Sequence, residues 1–293
     1  MNKKTHIFGG NGFIGLHLQK RLRNEGFEVS VGGDVTKYDE VVENIKDKDV
    51  IINLATVVQT IGNFDATKDL EVNLCGQINI LEARKNTNPT SKYIYIGSSL
   101  QFGKVEENDL PIKEDYPQRP LSLYGVNKSA AENYCAVYKR AYNLDSIILR
   151  LPPVYGPSLD GRETRSIVEK FIKIALRGES FTANNFGLDL KDQIYVDDVV
   201  EAIVLNIKSP ITHEVYNFGS GKGIKLLDIS KMIVEKCGSG KFEEVPYPAD
   251  RAPFESGSFY FDISKAQREL GWSPKINIKE GVERMVDYYK NKR

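Results

Sequence analysis

The chain has 293 residues, 41% hydrophobic and 27% charged, which is enough apolar material for one large or two modest cores. Its 40 basic and 40 acidic residues balance, so no positive field recruits nucleic acid or an anionic membrane, and no run approaches membrane-spanning length. The first residues lead straight into a strand with no secretory segment, and Cys75, Cys135 and Cys237 stand outside metal-type spacing; a cytoplasmic protein with reduced, packed thiols and no metal site is expected.

Residues 7–15 read I-F-G-G-N-G-F-I-G, an apolar strand running into Gly9, Gly12 and Gly15 and then a helix. Gly9 and Gly12 allow a tight turn and close backbone approach to a pyrophosphate, while Gly15 permits helix-on-strand packing; the helix start offers N–H groups to phosphate. A bare strand-turn-helix can carry the same triplet, but Ile14, Leu18 and Leu22 recur at helical spacing and Gly26 stands at a C-cap position before a strand over 27–31. A short helix over 36–45, capped by Thr36, and a buried strand over 49–54 should follow. A long helix over 69–86 carries Leu70, Leu74, Ile78 and Leu81 at helical spacing and leads to a strand over 92–96. A second long helix over 122–142 and a strand over 146–150 complete an α/β, doubly wound parallel sheet of Rossmann-like type. Beyond residue 151 come Pro- and Gly-bearing loops and helices near 164–177, 196–207, 227–237 and 279–291, read as a smaller α/β substrate lobe. The expected domains are 1–151 for dinucleotide and 152–293 for substrate, sharing a cleft. His6, His17 and His213 are scattered and are read as structural or surface residues.

Tyr124 and Lys128, in L-Y-G-V-N-K, lie one helical turn apart, so a phenol and an ammonium share a helix face. A free tyrosine is a poor base at neutral pH, and lowering its pKa by about three units requires about 4 kcal/mol. A lysine charge about 4 Å away at an effective dielectric near 20 supplies about that much. The tyrosinate could then take a proton from a sugar hydroxyl while hydride leaves the same carbon for a nicotinamide. Tyr288 and Lys292 repeat the spacing, but on the last helix among charged residues, where packing or surface roles are expected. Ser98 and Ser99 follow the strand over 92–96 at the sheet edge where doubly wound folds bind ligands, and one hydroxyl there could hold the reacting oxygen. A serine-rich turn bonding its own backbone is the plainer reading of either one alone.

Taken in order, G-G-N-G-F-I-G, Asn53-Leu-Ala55, Ser98 and Y-G-V-N-K resemble the extended short-chain dehydrogenase/reductases, specifically the nucleotide-sugar epimerase/dehydratase group. Further matches are Val72 to Gly76, Arg150 through Pro157, Tyr195 to Val199, Tyr216 to Gly219 and Asp262 through Trp272, so the resemblance covers nearly the whole chain. It implies Tyr124 as the proton-transfer residue, Lys128 as its partner and a ribose ligand, and Ser98 as the donor to the substrate oxygen, with Ser99 the second choice for that hydroxyl and a substrate-binding position. It implies cofactor positions at Gly9, Gly12, Phe13, Ile14 and Gly15, at Asp34 and Val35, at Leu54 and Ala55, and at Asn73. Arg251 stands where the group sets an arginine on the substrate diphosphate. It also implies a homodimer paired through the two long helices.

Departures narrow the activity. After Ser98 the chain reads Ser-Leu-Gln, without the Asp-Glu pair of the group's 4,6-dehydratases, so dehydration is disfavoured. Pro153 and Lys191 replace a usual asparagine and arginine. The passage from strand two to Asp34-Val-Thr is short, with Gly33 near the usual acid's place; Asp34 could reach the adenosine end and repel a 2′-phosphate, which favours NAD, with NADP not excluded. The expected reaction is oxidoreduction at a ring carbon, C4, of a nucleoside-diphosphate sugar, with epimerisation as the net outcome. A one-way 4-dehydrogenase or 4-ketoreductase would use the same residues, and a catalytically silent cofactor-sensing protein is the reading from another class.

Overall fold

The computed structural model describes residues 3–58, 65–164, 166–250 and 252–292. They form two compact units, one of residues 1–103, 117–150 and 200–216, the other of residues 104–116, 151–199 and 217–293.

The first unit is built on alternating strands and helices: β1 (Lys4–Phe8), α1 (Phe13–Asn24), β2 (Glu28–Val31), α2 (Tyr38–Ile45), β3 (Val50–Asn53), α3 (Ala66–Leu70), α4 (Gly76–Thr87), β4 (Lys92–Ser98), α5 (Leu123–Tyr142) and β5 (Ile147–Leu151). A sixth strand, Glu214–Asn217, joins at the edge, giving the order Glu214–Asn217, β5, β4, β3, β1, β2. β1 pairs parallel with both β2 and β3, and β3 pairs parallel with β4. The strand order therefore reverses between β1 and β3, the switch point where a doubly wound sheet opens a crevice at its carboxyl edge. β3 is V-I-I-N, buried throughout, as a central parallel strand covered on both faces must be. Helices α2, α4 and α5 add Val41, Ile45, Ile80, Leu81, Ala131 and Cys135 to one core with Tyr93 and Tyr95 of β4.

Three local details differ from the sequence expectations. Helix α2 starts at Tyr38 with Lys37 at its N-cap position; Thr36 does not cap it, because its N–H and hydroxyl both donate to the Asp34 carboxylate at 3.0 and 2.7 Å. The long helix expected over 69–86 is split, with a π-helical turn, Glu71–Cys75, joining α3 to α4. Leu70, Leu74 and Ile78 keep a helical stripe across that wide turn, so apolar spacing alone does not reveal it. Cys135 and Cys237 are buried, but Cys75 on the π turn is exposed, so it is not packed as a small hydrophobe. On that turn Asn73 is the buried residue.

Among the described residues the second unit holds three two-stranded sheets. Ser180–Asn184 pairs parallel with Lys241–Val245, Val154–Tyr155 parallel with Ile194–Tyr195, and Leu190–Lys191 antiparallel with Ile224–Lys225. Helices Ile167–Leu176, Leu226–Cys237 and Ile278–Asn291 pack on one another. Phe171 stacks on Phe181 at 4.1 Å, and Trp272 packs edge-on against Phe218 while its indole N–H donates to the Asp198 carbonyl. Among the described residues no helix is long and apolar enough to cross a membrane.

Candidate active site

The glycine turn is shaped by close approaches. Gly9 has φ +70°, and a Cβ on it would lie 2.5 Å from the Ala55 backbone nitrogen. A Cβ on Gly15 would lie 2.2 Å from the Gly10 carbonyl oxygen, so α1 can pack this close to the turn only with glycine there. Gly12 is the N-cap residue of α1 in an extended conformation with no side-chain cap bond, and the first turn carries no acid. Uncapped N–H groups at the positive end of a twelve-residue helix, beside glycines that leave no side chain in the way, fit a dinucleotide pyrophosphate. Phe13 and Ile14 open α1, half-buried, with Phe13 edge-on to His17.

The flanking loops are held from below. Asn53 accepts from the Ala55 N–H at 3.0 Å and donates to Gln77, which fixes the backbone at Leu54 and Ala55. Asn73 accepts from the Thr56 hydroxyl and the Val57 N–H, and donates to the Val57 carbonyl at 2.7 Å and to Asp69 at 3.0 Å. Its four hydrogen-bonding capacities are thus filled within the protein, so the carboxamide shapes the loop after β3. Val35 is buried in the core, where Gly76 makes room for it, and its carbonyl accepts from Asn79. The Asp34 carboxyl is exposed, and the two Thr36 donors hold it below the usual carboxylate range.

The second cluster lies where the end of β4 meets the start of α5. Ser122 caps α5, accepting from the Gly125 N–H, and Gly125 lets the first turn press against the loop after β4: a Cβ there would sit 2.3 Å from the Leu100 carbonyl oxygen. Lys128 is buried; its ammonium donates to the Ile96 carbonyl at 2.9 Å and stands 4.9 Å from the centre of the Tyr95 ring and 5.7 Å from that of Tyr124. Burial pushes the Lys128 ammonium down to about 7, and the carboxylate of Asp69 opposes that shift. Ser98 ends β4 and caps a short 3-10 turn, its hydroxyl accepting from the Leu100 N–H while Gln101 accepts from the Ser98 N–H. Ser98, Tyr124 and Lys128 are therefore brought to one corner by two adjoining elements. Ser99 is buried in the same turn. Arg251 lies outside the described residues.

The repeated pair behaves differently. Lys292 sits over the Tyr288 ring at 4.5 Å, but the Tyr288 hydroxyl donates to the Ser158 carbonyl at 2.6 Å, a packing contact.

Three residues in this corner, Asp69, Glu132 and Gln101, were given no role from the sequence. Asp69 is fully buried on α3, with one carboxylate oxygen accepting from Asn73 and from Asn127 at 2.6 Å, while the other has no hydrogen-bond partner among the described residues. Glu132 and Arg150 form a buried ion pair behind Gln101. Signals existed: Asp69 precedes Asn73 by one helical turn, Glu132 follows Lys128 by one, and Ser98-Ser-Leu-Gln101 has the capping-box pattern.

Comparison with known proteins identifies the family. Residues 6–219 match the model of the NAD dependent epimerase/dehydratase family. A Methanocaldococcus jannaschii protein named "Putative UDP-glucose 4-epimerase" is 31% identical, over 97% of this chain and 98% of its own. The Thermus thermophilus UDP-glucose 4-epimerase solved with NAD is 26% identical with a TM-score of 0.84, covering 98% of this chain and 99% of that one. The Thermotoga maritima UDP-glucose 4-epimerase solved with UDP-glucose is 26% identical with a TM-score of 0.86, covering 100% and 99%. The chain belongs to the NAD dependent epimerase/dehydratase family, whose cofactor is a nicotinamide adenine dinucleotide.

Proposed function

We propose that the protein is a 4-epimerase of a nucleoside-diphosphate sugar, with Tyr124, Lys128 and Ser98 acting on the C4 hydroxyl. The observation that carries this reading is the corner of β4 and α5, where the buried Lys128 ammonium is anchored on Ile96 beside the Tyr124 ring. Bound NAD supplies the acceptor and donor of hydride. Tyr124 takes the hydroxyl proton and later returns it. Lys128 favours the phenolate, its charge standing 5.7 Å from the Tyr124 ring centre. Ser98, whose oxygen already accepts from Leu100, keeps its proton to donate to the sugar oxygen. Gly9, Gly12 and Gly15 with the start of α1 hold the pyrophosphate, the loops at Asp34–Val35 and Leu54–Ala55 flank the adenosine end and the nicotinamide half, and Arg251 binds the substrate diphosphate.

The absence of an acid at Ser99, Leu100 and Gln101 speaks against 4,6-dehydration, since no carboxyl there can eliminate water. Incubating the protein with UDP-, GDP-, CDP- and dTDP-sugars tests the reading. Inversion at one stereocentre without added cofactor supports it; stoichiometric cofactor turnover would instead make it a one-way dehydrogenase or ketoreductase. Binding of NAD with no turnover across the panel would leave a cofactor-sensing protein.

The homodimer expected from the two long helices has support in α5, whose Leu123, Val126, Tyr134 and Val137 are exposed, as is Leu70 on α3. An exposed apolar stripe of this extent suits a second copy of the same chain.

A further inference from the structure

A continuous buried relay runs from an ion pair to the backbone of Ser98. Arg150 donates through Nε to Glu132 Oε2 at 3.0 Å and through Nη2 to Glu132 Oε1. Gln118 also donates to Glu132 Oε1, at 2.9 Å. Gln101 donates from Nε2 to Glu132 Oε2 at 2.8 Å, and its Oε1 accepts from the Ser98 N–H at 2.7 Å. All four of Gln101, Glu132, Arg150 and Ser98 are buried. Gly97 leaves room for the relay, since a Cβ there would lie 3.0 Å from Gln101 Oε1 and 3.2 Å from Arg150 Cγ. The far end of Arg150 is held over the Phe102 ring at 5.1 Å.

We infer that Gln101 is a positioning residue, whose amide transmits the fixed orientation of the Glu132–Arg150 pair to the Ser98 backbone and so aims the Ser98 hydroxyl. The inference rests on the assignment of Ser98 to the substrate oxygen made above. The chemistry requires an amide at this site. One end must accept, from the Ser98 N–H, and the other must donate, to a carboxylate already committed to an arginine. An ionised acid offers no donor and faces Glu132 with like charge, and a thioether offers neither group. Losing the Gln101 bond leaves the capping box with the Ser98 hydroxyl's bond to the Leu100 N–H alone, so the Ser98 backbone loses one of the two ties that orient it.

The test compares Gln101→Met, Gln101→Glu and Ser98→Ala, assayed with UDP-glucose first and then with whichever nucleotide sugar the parent turns over. Gln101→Met is expected to lower kcat about 10- to 100-fold with KM within about twofold, because a misaimed group slows the step without touching bound substrate. Gln101→Glu is expected to be slow at alkaline pH and to recover toward the parent as pH falls, since the introduced carboxyl and Glu132 can share one proton that restores the donor. Amide exchange should quicken at Ser98 in Gln101→Met while Ile94, inside β4, stays protected, showing an intact sheet. Parental kcat in Gln101→Met alongside an inactive Ser98→Ala overturns the inference, as does a pH profile of Gln101→Glu parallel to that of Gln101→Met. Parental kcat in Ser98→Ala instead overturns the assignment of Ser98 itself, and the two failures are told apart by that variant.

Discussion

The Lys128 ammonium stands 5.7 Å from the centre of the Tyr124 ring, one turn further along the same helix. Its hydrogen bond to Ile96 fixes it against the sheet, so the phenol gains a cation that cannot swing into solvent. Tyr124→Phe and Lys128→Met should each lower kcat by about 10²- to 10⁴-fold, the usual worth of a positioned proton-transfer group. Tyr288→Phe, which removes only a bond to Ser158, should leave kcat within about twofold. Steady-state assays with the turned-over nucleotide sugar check both, and a fully active Tyr124→Phe would end the proposed chemistry.

Asp69 sets the charge of that lysine from a distance. Burial lowers the Lys128 pKa to about 7 and Asp69 raises it, so removing the anion should leave the ammonium to lose its proton at lower pH. Asp69→Asn preserves the shape and an acceptor for Asn127, and should move the alkaline limb of kcat down by about one pH unit. A pH profile identical to the parent's would show that Asp69 serves only to tie the π turn to α5.

The glycines of the turn should separate by role. Gly15→Ala drives a methyl group to 2.2 Å from the Gly10 carbonyl and should cost about 1–3 kcal/mol in urea denaturation, as an overpacked contact does. Gly12→Ala meets only the Gly9 carbonyl oxygen, at 3.1 Å, and sits at φ −81°, which any residue adopts. It should fold normally and weaken NAD binding by about tenfold or more, because the added methyl faces the phosphate side of the turn. Equal NAD affinity, measured by titration calorimetry, would move the pyrophosphate elsewhere.

His6 makes stability depend on pH. It is buried on β1 between the Ser30 hydroxyl and the Gly32 carbonyl, and burial lowers its pKa to about 4. The folded state therefore disfavours the imidazolium that the unfolded chain forms near pH 6.5. Stability is fully present above about pH 6.5 and falls as pH drops toward 4, by about 3 kcal/mol at the limit. Urea midpoints should decline across that window more steeply in the parent than in His6→Gln, and parallel slopes would remove His6 as the cause.

The α5 stripe predicts self-association. Val137→Glu, on an exposed position, should leave the melting temperature of the single chain unchanged and convert a dimer into a monomer by light scattering at micromolar concentration. A parent that is already monomeric there contradicts the pairing.

What could be read from the chain alone was whatever local spacing encodes. The glycine triplet, the V-I-I-N strand, the alternation of elements and the one-turn separation of Tyr124 from Lys128 are properties of neighbouring residues, and a 3.6-residue or two-residue period displays them directly. Even the capping box at Ser98 is local, although its purpose is not. Position in the chain already favoured the first of the two identical Tyr-Lys spacings; tertiary structure decided what each pair bonds to, Lys128 to Ile96 and Tyr288 to Ser158. Tertiary structure also decided that Thr36 serves Asp34 rather than a helix, that a π turn containing Asn73 interrupts the helix, and that Asp69 and the Gln101–Glu132–Arg150 relay stand behind the site. The reason is physical: desolvation and hydrogen-bond geometry depend on distances between residues remote in the chain, and these become defined only when β4, α3 and α5 pack together.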